Sequence, residues 1–150
     1  MSQSLSKLYV HIIFHVKNER SLILEENEKE LYAYIGGIIK QTQSFPIQIN
    51  GVANHIHILS TFSKNISLAD FIKKIKGNSS RWIKTKGVHY DNFEWQGGYS
   101  GYSVSQSKVE TIKKYIENQK RHHEKVSFRE EYHAFLKEYE VDFNESFLWT

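Results

Sequence analysis

Two short stretches hold side chains that could do chemistry together. His55-Ile56-His57-Ile58-Leu59 sets two imidazoles two residues apart. On a strand such residues project from one face, so both rings can reach a single cation while Ile56 and Ile58 enter the core. The second stretch is YIENQKRHH, with Tyr115, Gln119 and His122. On a helix Tyr115 and Gln119, four apart, share a face, and His122 joins them one turn on, while Ile112 and Ile116 mark the buried stripe. Each stretch alone also suits a plainer role, as packed strand histidines or as an amphipathic tyrosine on a surface helix.

Two rival uses of the histidine pair fail on the neighbouring residues. A binuclear hydrolase pattern needs an aspartate two residues past the second histidine, where Leu59 stands. The two-histidine phosphodiesterases need a serine or threonine two past each histidine, in two copies, and neither is present. The absence of cysteine excludes disulfides, thiolate metal sites and cysteine nucleophiles.

The elements that must position these groups are readable. With 150 residues, 39% hydrophobic and 14% aromatic, the chain suits a single globular domain over 1–150. Leu8 to Lys17 alternates as a strand: Leu8, Val10, Ile12, Phe14 and Val16 face one way, Tyr9, His11, Ile13, His15 and Lys17 the other. Helical spacing covers 25–43 and stops before Pro46. Residues 47–52 and 55–62 read as a hairpin turning at Ala53-Asn54. Ser67 is a candidate N-cap for a helix that Gly77-Asn78 is expected to break or strain. A glycine- and aromatic-rich loop over 87–101 leads to a strand near 102–105. A helix over 107–125, another over 128–139 and an irregular tail follow. Strand, helix, strand, strand, helix, strand, helix is the α+β ferredoxin-like, split βαβ order, an antiparallel sheet with helices on one face and the other face free to bind. The usual strand order puts the first strand beside the third.

Charge is uneven along the chain. The net is only +3, yet Lys64, Lys73, Lys74, Lys76, Arg81, Lys84 and Lys86 face a single acid, Asp70, and residues 124–145 are acidic. That suits one face for a polyanion and another that avoids it, although solvated helix faces carry such runs too. No stretch approaches a membrane span and nothing resembles a secretory signal, so a cytoplasmic protein without a membrane partner is expected.

NHIHIL on a strand, then WQGGYSGYSVSQS, YIENQKRHH and the tail FLKEYEVDFNESFLW together resemble the single-tyrosine transposases of bacterial insertion sequences. These belong to the HUH (histidine, hydrophobic, histidine) nuclease superfamily, with the REP-associated tyrosine transposases as a near branch. The resemblance implies a divalent metal, Mg²⁺ or Mn²⁺, held by His55, His57 and Gln119. It implies Tyr115 as the nucleophile that forms a 5′-phosphotyrosine on DNA and releases a 3′-hydroxyl. It implies single-stranded DNA bearing a hairpin as partner, and a homodimer in which a mobile tyrosine helix can serve either subunit. Asn54 departs from the family, where aspartate often precedes the first histidine.

The chemistry agrees with that assignment. A tyrosine hydroxyl, with a pKa near 10, needs activation, and a phosphodiester needs its charge neutralised and its geometry held. A phosphotyrosine conserves the bond energy, so strands rejoin without ATP. On this reading His11 and His15 face the scissile phosphate and Lys17 and Arg20 the backbone. Lys73, Lys74, Lys76, Arg81 and Lys84 track the hairpin, and His122 touches DNA or sits at a helix end. Trp82 reads as core, while Trp95, Tyr99 and Tyr102 are candidates for stacking on unpaired bases or bracing a dimer. Two alternatives stay open on the sequence: a domesticated relative that binds or processes chromosomal repeat hairpins, and a non-catalytic single-strand nucleic-acid-binding module.

Overall fold

The alternation at the amino terminus forms β1 (Tyr9–His15), and the hairpin forms β2 (Pro46–Val52) and β3 (His55–Thr61). With β4 (Ser100–Ser103) they make one antiparallel sheet in the order β2-β3-β1-β4, in a computed structural model that describes residues 1–150. This is the split βαβ arrangement, with the first strand beside the third as expected. Its register sets Ile13 opposite His57 and His15 opposite His55. No helix is long and apolar enough to cross a membrane.

One sheet face carries Val10, Ile12, Phe14, Val16, Ile56 and Ile58 into the main core. Against it pack Leu31, Ile35 and Ile39 of α1 (Glu25–Gln41) and Phe71, Ile72 and Ile75 of α2 (Leu68–Ile83). Ser67 caps α2 by accepting from the Asp70 N–H at 3.1 Å. Against expectation, α2 runs unbroken through Gly77-Asn78. Its buried stripe continues through Ser79 and Ile83, and the Asn78 amide is spent within the helix, donating to the Lys74 carbonyl at 2.9 Å.

The second face, expected to stay free, is covered by α3 (Val109–Glu117), α4 (Gln119–His122) and α5 (Phe128–Glu138). Leu59, Val104 and Ile116 form a small second core there. The face is half apolar and half imidazole, and burying it removes Leu59 and Ile13 from water. The single helix expected over 107–125 is likewise two pieces, parted at Asn118 (φ −95, ψ 16). Asn50 of β2 explains the break. Its amide nitrogen donates to the carbonyls of Ile116 at 2.9 Å and Glu117 at 3.2 Å, the groups a continuing helix would use. A capping box between Ser127 and Glu130 starts α5 over the gap.

Candidate active site

The strand period delivers His55 and His57 to the α3–α5 side of the sheet, where both are fully buried. Around them close Tyr115 from α3, Gln119 from α4, His123 just after it, and Glu131 from the first turn of α5. Glu131 is the hub. Its Oε1 lies 3.2 Å from His55 Nε2, 2.9 Å from His57 Nε2 and 3.2 Å from His123 Nε2. Its Oε2 accepts from the Gln119 amide nitrogen at 3.0 Å and from the Tyr115 hydroxyl. His122 Nε2 stands 3.3 Å from the same hydroxyl. Gln119 Oε1 faces His55 Nε2 at 3.3 Å and His123 Nε2 at 2.9 Å.

Outer contacts hold the rings in place. His55 Nδ1 meets Asn54 Oδ1 at 2.8 Å. His123 Nδ1 meets the Val126 carbonyl at 2.7 Å, and His57 Nδ1 meets His11 Nε2 at 2.8 Å. Phe128 stacks on His55 with ring centroids 3.9 Å apart.

Burial dominates the electrostatics. It holds His55 down to about 4 and lowers His57, outweighing the attraction of Glu131 in both. His123, nearer the surface, goes the other way: burial opposes its charge, but the hydrogen bond and charge of Glu131 raise it. Burial alone would raise Glu131, yet hydrogen bonds from His123, His55 and His57 hold it well below the usual carboxylate range. Burial, then the hydrogen bond to Glu131, push the Tyr115 hydroxyl far above its ordinary value, so it needs a cationic neighbour to ionise.

Of the residues singled out from sequence, His55, His57, Gln119, Tyr115 and His122 come together. His11 does not face a phosphate. It is buried behind His57, edge-on to Phe135, with Nδ1 unpartnered. His15 is buried too, its ring nitrogens facing the carbonyls of Val16 and Leu148 at 3.0 and 2.9 Å. Lys17 pairs with Glu94 at 3.4 Å, while Arg20 is exposed. Lys73, Lys74, Arg81 and Lys84 are exposed along α2. Lys76 turns inward: its ammonium donates to the carbonyls of Gln96 and Gly98, and burial lowers it to about 8. Trp82 is half-buried and stacks on Tyr34 at 5.0 Å. Trp95 and Tyr102 are buried, leaving Tyr99 as the exposed aromatic of the three.

Sequence reasoning missed Glu131 altogether and gave His123 no place among the metal ligands, reading it as a DNA contact or a residue at a helix end. One signal was present: Glu131 lies on the stripe of Phe128, Tyr132, Phe135 and Leu136, an acid where helical spacing calls for an apolar side chain. The ligand atoms of His55, His57, His123 and Glu131 all fall within 4.8 Å of one another, and nitrogen and oxygen donors at that spacing fit a divalent ion. Beside the cluster opens a cavity of about 490 Å³, lined among others by His15, Asn54, Phe128, Arg129 and Trp149. Asn18 and Glu19 on its rim adopt left-handed backbone (φ 51 and 54).

Known proteins resemble this chain in sequence and in fold. Residues 4–119 match the family model described as transposase IS200 like. The chain is 27% identical over 118 residues to the ISDra2 transposase TnpA of Deinococcus radiodurans, covering 75% of this chain and 84% of that one. A crystal structure of a Deinococcus radiodurans R1 protein assigned as a transposase superposes with a TM-score of 0.61 at 24% identity, covering 79% of this chain and 98% of the other. The REP-associated tyrosine transposase bound to a REP hairpin also gives 0.61, at 15% identity, over 84% of this chain and 76% of that one. The family match ends at Gln119, short of His123, Glu131 and the tail. Spanning most of the chain, it shows that the protein belongs to the IS200-like transposases, a family of DNA-cleaving and strand-transferring enzymes.

Proposed function

We propose that this transposase nicks and rejoins single-stranded DNA through Tyr115, at element ends that carry a hairpin. The Tyr115 oxygen attacks the scissile phosphorus, the bond to the 3′ oxygen breaks, and a 5′-phosphotyrosine and a free 3′-hydroxyl result. A 3′-hydroxyl from another strand then attacks the phosphotyrosine, restoring a phosphodiester and the tyrosine. His55, His57 and Gln119 are the ligands of a divalent metal, Mg²⁺ or Mn²⁺, which when bound supplies neutralisation of the non-bridging phosphate oxygens. Glu131 and His122 face the hydroxyl that must lose its proton.

One observation carries the reading: the tyrosine, both histidines and the glutamine come from three separate elements and meet at a single carboxylate. A nucleic-acid-binding module has no need of a half-buried tyrosine poised beside such a cluster. We also propose a homodimer, in which the tyrosine helix can serve the histidine pair of either subunit. The hairpin partner is favoured by the exposed basic residues of α2 and by the hairpin-bound neighbour. That neighbour also gives some weight to a domesticated enzyme acting on chromosomal repeat hairpins.

The test is a denaturing gel after mixing the protein with single-stranded DNA from both flanks of its gene, or with repeat hairpins, in Mn²⁺ or EDTA. A protein–DNA adduct should form with Mn²⁺, vanish with EDTA and vanish in Tyr115→Phe. Adduct with flanking DNA alone marks a mobile element, and adduct with repeats alone marks the domesticated enzyme. Tight binding without adduct on any substrate would overturn the catalytic reading.

A further inference from the structure

Two histidines of the cluster are held by contacts that set which nitrogen faces inward. His123 Nδ1 faces a backbone carbonyl, that of Val126, at 2.7 Å. A carbonyl carries no proton, so Nδ1 donates and the neutral ring presents a bare Nε2 to the cluster. His55 repeats the pattern, its Nδ1 donating to Asn54 Oδ1 at 2.8 Å and its Nε2 turned inward. The amide of Gln119 is oriented by its nitrogen, which donates to Glu131 Oε2 at 3.0 Å, leaving Oε1 towards the rings.

Five atoms with lone pairs thus converge: Nε2 of His55, His57 and His123, Oε1 of Gln119 and Oε1 of Glu131. The contacts among them are 2.9 Å (His57 to Glu131, His123 to Gln119), 3.2 Å (His55 and His123 to Glu131) and 3.3 Å (His55 to Gln119), and the imidazole and carboxylate atoms all lie within 4.8 Å of one another. Such a group is repulsive without positive charge among its members. One imidazolium proton serves two of the atoms, whereas a metal ion serves all five.

We infer that His123 and Glu131 are metal ligands alongside His55, His57 and Gln119, giving a three-nitrogen, two-oxygen site that selects a transition ion such as Mn²⁺ or Co²⁺ over Mg²⁺. Both added ligands lie beyond the segment that matches the family. Three imidazoles suit softer ions, while Mg²⁺ prefers oxygen and keeps its waters. Glu131 then has two tasks, one oxygen on the ion and the other on the Tyr115 hydroxyl, which fixes the nucleophile relative to the metal. The inference rests on the metal-dependent reading above and adds the identity of the ion and of two ligands.

The experiment uses the full chain loaded with Mn²⁺, without DNA. Pulsed EPR counts the imidazole nitrogens bound to the ion: three are expected in the wild type and two in His123→Ala. Two in the wild type would overturn the assignment of His123 while leaving the His55–His57 site intact. Glu131→Gln, close to isosteric, should weaken Mn²⁺ binding by at least tenfold with the nitrogen count unchanged, and wild-type affinity there would overturn the assignment of Glu131. Mg²⁺ in roughly hundredfold excess should leave Mn²⁺ in place, and displacement would overturn the ion preference. If His55→Ala binds Mn²⁺ as tightly as the wild type, the metal reading shared with the proposed function falls as well.

Discussion

A buried carboxylate with three imidazoles around one of its oxygens makes Glu131 the residue on which the site depends, and its surroundings set a pH response. The unfolded chain titrates His55 and His57 near 6.5, while burial holds His55 down to about 4 in the fold and lowers His57 with it. Between those values the unfolded chain takes up protons that the folded chain refuses, so stability is lost as pH falls from 6.5 towards 4. His55 alone contributes on the order of 3 kcal/mol to that loss. His123 works against it: its raised value adds stability that is fully present below 6.5 and fades as pH rises through the folded value. Glu131, depressed in the fold, adds stability above its ordinary 4.5 that is lost on further acidification. His11, behind His57, is lowered by burial as well, and three depressed histidines outweigh one raised, so the protein in EDTA should melt several degrees lower at pH 5 than at pH 7, with a flatter dependence in His55→Gln. Equal melting temperatures at the two pH values would show that the cluster is solvated rather than sealed.

The elements hold this cluster through a few backbone devices, of which the β2–β3 hairpin is the most constrained. At Gly51 an added Cβ would sit 2.2 Å from the His55 carbonyl oxygen and 2.9 Å from the Ile56 Cα, both backbone atoms that cannot swing aside. Gly51→Ala should therefore cost about 2–3 kcal/mol and displace His55, visible as a lowered melting temperature with Mn²⁺ affinity reduced beyond what destabilisation explains. Asn50 next to it acts on α3. Asn50→Ala leaves the Ile116 and Glu117 carbonyls without their partner, about 1–2 kcal/mol, and should slow adduct formation more than it weakens DNA binding, because Tyr115 lies on the helix released. Such devices explain what the sequence made legible. The alternation of β1 and β3 and the stripes of α1 and α2 follow from burial on one face, so strands, strand order and both histidines could be read from periodicity. The break at Asn118 could not, because its cause is an asparagine 68 positions away (118 less 50) that takes the helix carbonyls. Continuity at Gly77-Asn78 was hidden for the opposite reason: packing of Ser79 and Ile83 outweighs the low helix propensity of the pair. Glu131 shows in the sequence only as an acid on the apolar stripe of α5, and gains its meaning from histidines folded onto it.

At the scale of the molecule, the basic helix and the histidine cluster occupy opposite faces of the sheet. The basic helix α2 packs through Phe71, Ile72 and Ile75 on the face of Phe14 and Ile58, while the cluster lies on the other side under α3–α5. DNA held by Arg81 and Lys84 must therefore pass round a sheet edge to bring a phosphate to Tyr115. The cavity lined by Asn54, Phe128 and Arg129 is an opening beside the cluster. The acids of α5 and the tail discourage the duplex from settling on that side, so a hairpin on α2 and a single strand at the site is the division the charges favour. It follows that Arg81→Glu with Lys84→Glu should raise the Kd for a hairpin substrate tenfold or more at low salt. The slope of log affinity against log salt should shrink by about 0.9 for each duplex phosphate that the variant no longer neutralises. Adduct formation at saturating DNA should keep its wild-type rate, because neither side chain touches the cluster. Tyr115→Phe should show the reverse, intact hairpin affinity with no adduct. A charge-reversal variant that binds weakly and also fails to cleave at saturation would mean that α2 positions the scissile phosphate itself, and the two faces would have to be treated as one site.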